Sequence, residues 1–145
     1  MKFQKSKILK IEDTFLTHEL ILTRSFKRIA MTTKEIGDFF DAYRRKLNSF
    51  KPDIVFFYGG QPIDLLLSSE ARRRGIPSVA YLANGNYNGS EWRPDVDLII
   101  TDTKSTSRYY QEKEGCSAKP IGKFINPADV VAEKHTREFL TFINP

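Results

Sequence analysis

KPDIVFFYGGQPIDLLLSSEARRRGIPSVAYL, residues 51–82, decides the fold. Asp53 to Tyr58 is a nearly continuous apolar run, the pattern of a strand covered on both faces. Gly59-Gly60 turns the chain tightly, and Pro62 suits the first turn of a helix running to about Arg74. Ile63, Leu66, Leu67 and Ala71 would form its buried side. Arg72, Arg73 and Arg74 complement the carboxyl-end dipole, and Gly75 can take the left-handed cap. Ile76-Pro77 then leads into a second strand, Ser78 to Leu82, which completes one βαβ unit of about 30 residues.

Upstream, Thr32 and Glu35 have the spacing of a capping box, followed by Ile36, Phe39, Phe40, Tyr43, Leu47 and Phe50 at helical spacing. A helix over 33–50 is expected, stopped by Pro52, with its aromatic stripe in the core. Further upstream, Ile8, Leu9 and Ile11, then Phe15-Leu16 and Leu20-Ile21-Leu22, suggest two short strands turning near Glu12-Asp13. Downstream of the βαβ unit lies a 14-residue loop, 83–96, rich in Asn and Gly and holding the sole tryptophan, Trp92. Long loops are often functional. A buried-type strand over 97–101, a helix capped by Thr103 and ended by Gly115, and a short strand over 120–125 follow. Residues 126–136 read as a linker and 138–143 as a last strand.

Strands alternating with helices give an α/β class, a Rossmann-like three-layer sandwich with a mainly parallel sheet. Ligands of such sheets bind beyond the carboxyl ends of the strands. The residues to interrogate are therefore Gly59, Gly60 and Gln61; Ala83 to Tyr87; Asp102 and Thr103; and Lys123 to Asn126.

Composition excludes several classes. The single cysteine, Cys116, admits no internal disulfide and reads as an inert thiol in a reducing compartment. No apolar run reaches the ~18–20 residues of a membrane span, and the amino terminus lacks the pattern of a signal peptide, so a cytoplasmic protein is expected. Net charge is +5, and the first 28 residues hold seven Lys or Arg against three acids. Such a patch suits anionic lipid, a phosphate-bearing substrate or nucleic acid, or is simply a solvated surface. No nucleic-acid motif accompanies it, so peripheral membrane contact is expected and nucleic acid is not. No Cys/His cluster suggests a metal site.

Four pieces in order resemble the amino-terminal domain of retaining GT-B glycosyltransferases of the family 4-like, group 1 type: KPDIVFFYGG with RRRGIPSVAYL, the loop LANGNYNGSEW, DLIITDTKSTSRYYQEKEG, and CSAKPIGKFINP. The terminal EFLTFINP resembles the opening strand of that family's second domain. The resemblance spans about residues 51–145 and implies an acceptor-side domain over 1–136, with 137–145 entering a second domain that this chain lacks. It implies transfer of a hexose from a nucleotide sugar to a glycan or lipid-linked acceptor, as in polysaccharide biosynthesis. It also implies no cofactor beyond the donor, which would bind mainly the second domain. Alone, the domain is expected to be silent. Two departures stand out. The Gly-Gly loop that follows the family's opening strand is absent from residues 1–30, and its histidine after the strand equivalent to 78–82 is replaced by Ala83-Asn84. Asn84 can orient a hydroxyl but cannot act as a base, so the catalytic residues stay unassigned.

Candidate substrate contacts are Gly59, Gly60, Gln61, Asn84, Asn86, Tyr87, Trp92, Thr103 and Lys123. The Gly-Gly pair either makes a turn alone or also lets backbone approach an acceptor or phosphate. It has neither the dinucleotide nor the P-loop spacing. The loop Asn residues either serve turns or pair with sugar hydroxyls, while Tyr87 and Trp92 offer rings to a sugar face. Thr103 caps a helix, and Lys123 is a solvated cation or a phosphate contact. Asp102 and Glu91 are rim carboxylates without visible pairing. The alternatives are a non-enzymatic flavodoxin-like binding module and, against the missing glycine fingerprint, a nucleotide-sugar epimerase.

Overall fold

The computed structural model describes residues 8–24, 27–61, 63–87, 90–126 and 128. The chain forms β1 (Ile8–Glu12), β2 (Thr17–Ile21), α1 (Thr33–Phe50), β3 (Val55–Tyr58), α2 (Asp64–Arg73), β4 (Ser78–Leu82), β5 (Leu98–Thr101), α3 (Lys104–Glu114) and β6 (Lys119–Pro120). β1 and β2 pair antiparallel as a separate hairpin, whereas β3-β4-β5-β6 form one parallel sheet in sequence order. The fold class is α/β, a Rossmann-like parallel sheet flanked by helices.

Local chemistry explains the helix ends. Thr32 accepts the Glu35 amide while the Glu35 carboxylate takes the Thr32 amide at 2.8 Å, so the capping box forms as read. The other Glu35 oxygen takes the Arg24 amide at 2.7 Å and ties the exit of the hairpin to the helix start. Thr103 caps α3 by accepting the Thr106 amide, and the helix ends at Gly115 in left-handed geometry.

Strands in unbroken sequence order, joined by crossovers of one hand, put every connection on the same face. The core shows this. Leu47 of α1, Leu67 and Ala71 of α2 and Tyr110 of α3 all pack with Val55, Phe57, Ala80 and Leu82. Tyr43 donates to the Leu67 carbonyl at 3.0 Å and fastens α1 to α2, and burial pushes its phenol up to about 12. On the opposite face, Val79, Tyr81 and Ile100 form a smaller cluster that carries no helix among the described residues. The expectation that β3 is covered on both faces is therefore corrected: Val55 and Phe57 are buried, while Phe56 and Tyr58 are 49% and 54% exposed.

Other expectations shift for local reasons. Phe15-Leu16 lie in the hairpin turn rather than in β2, with Phe15 90% exposed. Phe50, at the last turn of α1, is exposed rather than core. β6 pairs only at Lys119–Pro120, because Gly122 at φ 88° turns the chain out of the ladder before Ile125. Pro62, the loop residues Asn88-Gly89, most of the linker and the expected last strand over 138–143, with the 137–145 boundary, lie outside the described residues.

Glu70 of α2 binds Arg73 through two 2.8 Å hydrogen bonds and Arg74 through one, with Arg44 at 3.4 Å. The Arg73 bonds above all hold its carboxyl down at about 2. A folded-state value below the unfolded one contributes stability that is complete above the ordinary carboxylate range and is lost as pH falls toward about 2. In urea titrations, Glu70→Gln should be less stable than the parent near neutral pH, and the gap should close as pH drops through that window. A gap that does not change with pH would contradict this.

Candidate functional site

Parallel register brings the carboxyl ends of four strands to one edge. Tyr58 pairs Tyr81, Leu82 pairs Thr101, and Thr101 pairs Pro120. Gly59 continues the ladder by donating its amide to the Tyr81 carbonyl at 3.3 Å, and Ile121 donates to Thr101 at 2.9 Å. The segments beginning at Gly59, Ala83, Asp102 and Ile121 consequently share a single rim.

Gly59 and Gly60 are both buried. A β-carbon on Gly59 would stand 2.8 Å from the Trp92 ring, while one on Gly60 would collide with the Tyr87 side chain. Gly60 also has φ 105°, which L side chains rarely adopt. The pair therefore accommodates the loop that closes over it as well as turning the chain. Gln61 donates its amide to Asp64 Oδ2 at 2.7 Å. Asp64 is wholly buried, and its Oδ1 holds Arg28 Nη1 at 2.9 Å. Burial raises the Asp64 carboxyl, against the opposing pull of the Gln61 amide and Arg28. Arg28, from a stretch the sequence left unplaced, thus stands at the rim.

The loop after β4 is held from α3. The fully buried Tyr110 hydroxyl donates to the Asn84 carbonyl at 2.6 Å and accepts the Tyr87 amide at 3.2 Å. Asn84 Oδ1 accepts the Asn86 amide at 2.9 Å, closing an Asx turn and leaving Asn84 and Asn86 exposed. Tyr110 did not figure among the candidate contacts. The signal was the Arg-Tyr-Tyr run in the middle of α3, but only the fold reveals which tyrosine turns inward.

Trp92 corrects the sequence reading. It is 1% exposed, edge-on to Phe57 with centroids 6.3 Å apart, and lies under Gly59, so its ring is core and presents no face to a sugar. Arg93 stacks on it at 5.8 Å and bonds the Glu114 carbonyl and carboxylate at 3.1 Å each, fixing this part of the loop to α3. Thr103 serves as the α3 cap, and Asp102 Oδ1 accepts from Thr106 Oγ1 at 3.0 Å. Lys123 Nζ stands 3.9 Å from Asp102 Oδ2. Glu91 is exposed and accepts the Ser90 amide. Cys116 is buried, and burial pushes its thiol up, away from the reactive thiolate.

No group of three His, Cys, Asp or Glu side chains able to hold a metal converges among the described residues. Nor is any helix among them long and apolar enough to cross a membrane. A crevice of about 190 Å³ lies away from the rim, between the hairpin and α1, lined by Ile8, Ile21, Phe39, Ala42 and Tyr43.

No family model and no curated protein matches this chain. Among solved structures it is similar to UDP-N-acetylglucosamine 2-epimerase from Rickettsia bellii, at 32% identity over 60% of this chain with a TM-score of 0.43. The aligned chain spans 25% of that protein's length. So loose a superposition speaks for neither fold nor function, and the fold class rests on the strand pairings.

Two substitutions test how the rim loop is held. Gly60→Ala should cost about 1–3 kcal/mol by overpacking against Tyr87 and should shift the amide resonances of Asn84 to Tyr87. Tyr110→Phe removes one acceptor and one donor, costs about 1–3 kcal/mol, and should speed hydrogen exchange at the Tyr87 amide while sparing β4. Unchanged exchange at Tyr87 in Tyr110→Phe would show that the loop is held by other contacts.

Proposed function

We propose that this domain presents the acceptor in a retaining GT-B type glycosyltransferase that moves a hexose from a nucleotide sugar to a glycan or lipid-linked acceptor. The observation that carries the reading is the single rim. Gly59-Gly60, Asn84 to Tyr87, Asp102-Thr103 and Lys123 arrive there from four successive parallel strands, in the order of the four sequence pieces that carry the resemblance. Exposed amides at Asn84 and Asn86 can pair with sugar hydroxyls. The half-buried Tyr87, packed over Gly60, gives the loop a fixed wall. With no histidine at this rim among the described residues, the domain's part is positioning and exclusion of water, contributions that can lower a barrier without any proton transfer from this side. The leaving diphosphate would be stabilised by a facing lobe that holds the donor. The basic amino-terminal stretch would favour work beside an anionic membrane on the cytoplasmic side.

Calorimetry on this chain tests the division of labour. Free oligosaccharide acceptors should bind weakly, and Tyr87→Ala should weaken that binding about tenfold, the equivalent of about 1.4 kcal/mol. UDP- and GDP-sugars should give no measurable heat. Micromolar binding of a nucleotide sugar by this chain would overturn the proposal.

A further inference from the structure

Four aromatic rings, Phe56, Tyr58, Tyr81 and Phe124, meet at the carboxyl end of the sheet, on the face that carries no helix among the described residues, and the last three reach furthest toward the rim. Tyr58 closes β3, Tyr81 is the penultimate residue of β4, and Phe124 folds back from the turn after β6. Tyr81 is 7% exposed and lies between the other two, its centroid 5.4 Å from Tyr58 and 5.7 Å from Phe124. The flanking rings are open, at 54% for Tyr58 and 72% for Phe124. At the same end Lys123 stands 3.9 Å from Asp102, its side chain 64% exposed while the carboxylate is nearly covered. The Tyr81 phenol is raised first by burial and then by the nearby Asp102 carboxylate and the Tyr58 and Tyr87 phenols.

We propose that Tyr58, Tyr81 and Phe124 form a stacking shelf for one sugar ring of the acceptor, with Asp102 and Lys123 addressing its hydroxyls. The inference rests on the acceptor-domain reading above. A pyranose has a face of C–H bonds that suits the negative face of an aromatic ring, and a rim of hydroxyls that needs donors and acceptors. The shelf offers both at neighbouring strand ends, with rings from β3, β4 and the chain after β6 and the Asp102–Lys123 pair from the chain after β5 and β6. An apolar protein segment laid over the same place would strip water from the Asp102–Lys123 pair and the phenols without replacing it, a desolvation that a sugar's hydroxyls offset.

Saturation-transfer NMR on the full 145-residue chain tests this, with tri- to hexasaccharides of glucose, galactose, mannose and N-acetylglucosamine as probes. At least one probe should receive saturation at ring C–H protons. Phe124→Ala and Tyr58→Ala should each weaken its binding about tenfold without moving the thermal midpoint, and Tyr58→Phe should retain it. The shelf is overturned if no probe binds, or if the alanine variants bind as the parent does. It is also overturned if those variants lower the midpoint or change oligomeric state while sugar binding stays the same, because the rings would then be a packing surface. Sugar binding lost in Tyr87→Ala but intact in Phe124→Ala and Tyr58→Ala sinks the shelf and spares the acceptor-domain reading. Micromolar binding of a nucleotide sugar by this chain sinks that reading itself.

Discussion

Val55–Tyr58, Ser78–Leu82, Leu98–Thr101 and Lys119–Pro120 lie side by side and run the same way. Parallel pairing forces each return of the chain to cross over the sheet, and an order without reversal sends every crossover to one face. From that constraint follow the shared core under α2 and α3, against which α1 also packs, the face that carries exposed rings and no helix among the described residues, and the gathering of four strand ends at one rim. β4, in the middle of the order with neighbours on both sides, is buried along its whole length.

The rim owes its shape to polar anchors reaching it from inside. Tyr110 fixes the loop after β4 from below, and Asp64 fixes both the start of α2 and Arg28. A buried hydroxyl or carboxylate is tolerated only when its hydrogen bonds are satisfied, so each anchor holds its partners in one arrangement. The second half of the long loop is pinned independently, through Arg93 to the end of α3, Arg72 to the Pro94 carbonyl at 2.6 Å and Asp97 to the Ser78 amide at 2.8 Å. The described residues of this loop, 83–87 and 90–96, carry no regular strand or α-helix and are thereby held at both ends, which suits a binding loop on a rigid scaffold.

Charge is distributed on a different principle. The basic residues that raise the net charge to +5 are largely drawn into local pairs wherever the structure describes them: Arg28 with Asp64, Lys46 and Lys10 with Glu19, and Arg73 and Arg74 with Glu70. The pairs of Lys10 and Lys46 with Glu19 lie at the surface and add little stability, whereas Glu70 is buried and its pairing carries the pH dependence described above. Asp64 is fully buried, so losing the Arg28 guanidinium would strand its charge.

Wherever the deciding interaction spans a few residues, the sequence was legible. The Thr32/Glu35 capping box, the Thr103 cap with its Gly115 stop and the extent of Ser78–Leu82 are local matters of hydrogen bonding and side-chain pattern, and they form as read. Alternation of strand and helix likewise determined the α/β class and the candidate rim. Only the tertiary structure decided which face the described helices cover, because an apolar run such as Asp53–Tyr58 reads alike whether one side is packed or two. Only the fold took Trp92 into the core under Gly59, turned Tyr110 inward, and brought Arg28 to Asp64 and Phe124 to Tyr81. Those partners lie tens of residues apart, and their meeting depends on strand order, which no local pattern encodes.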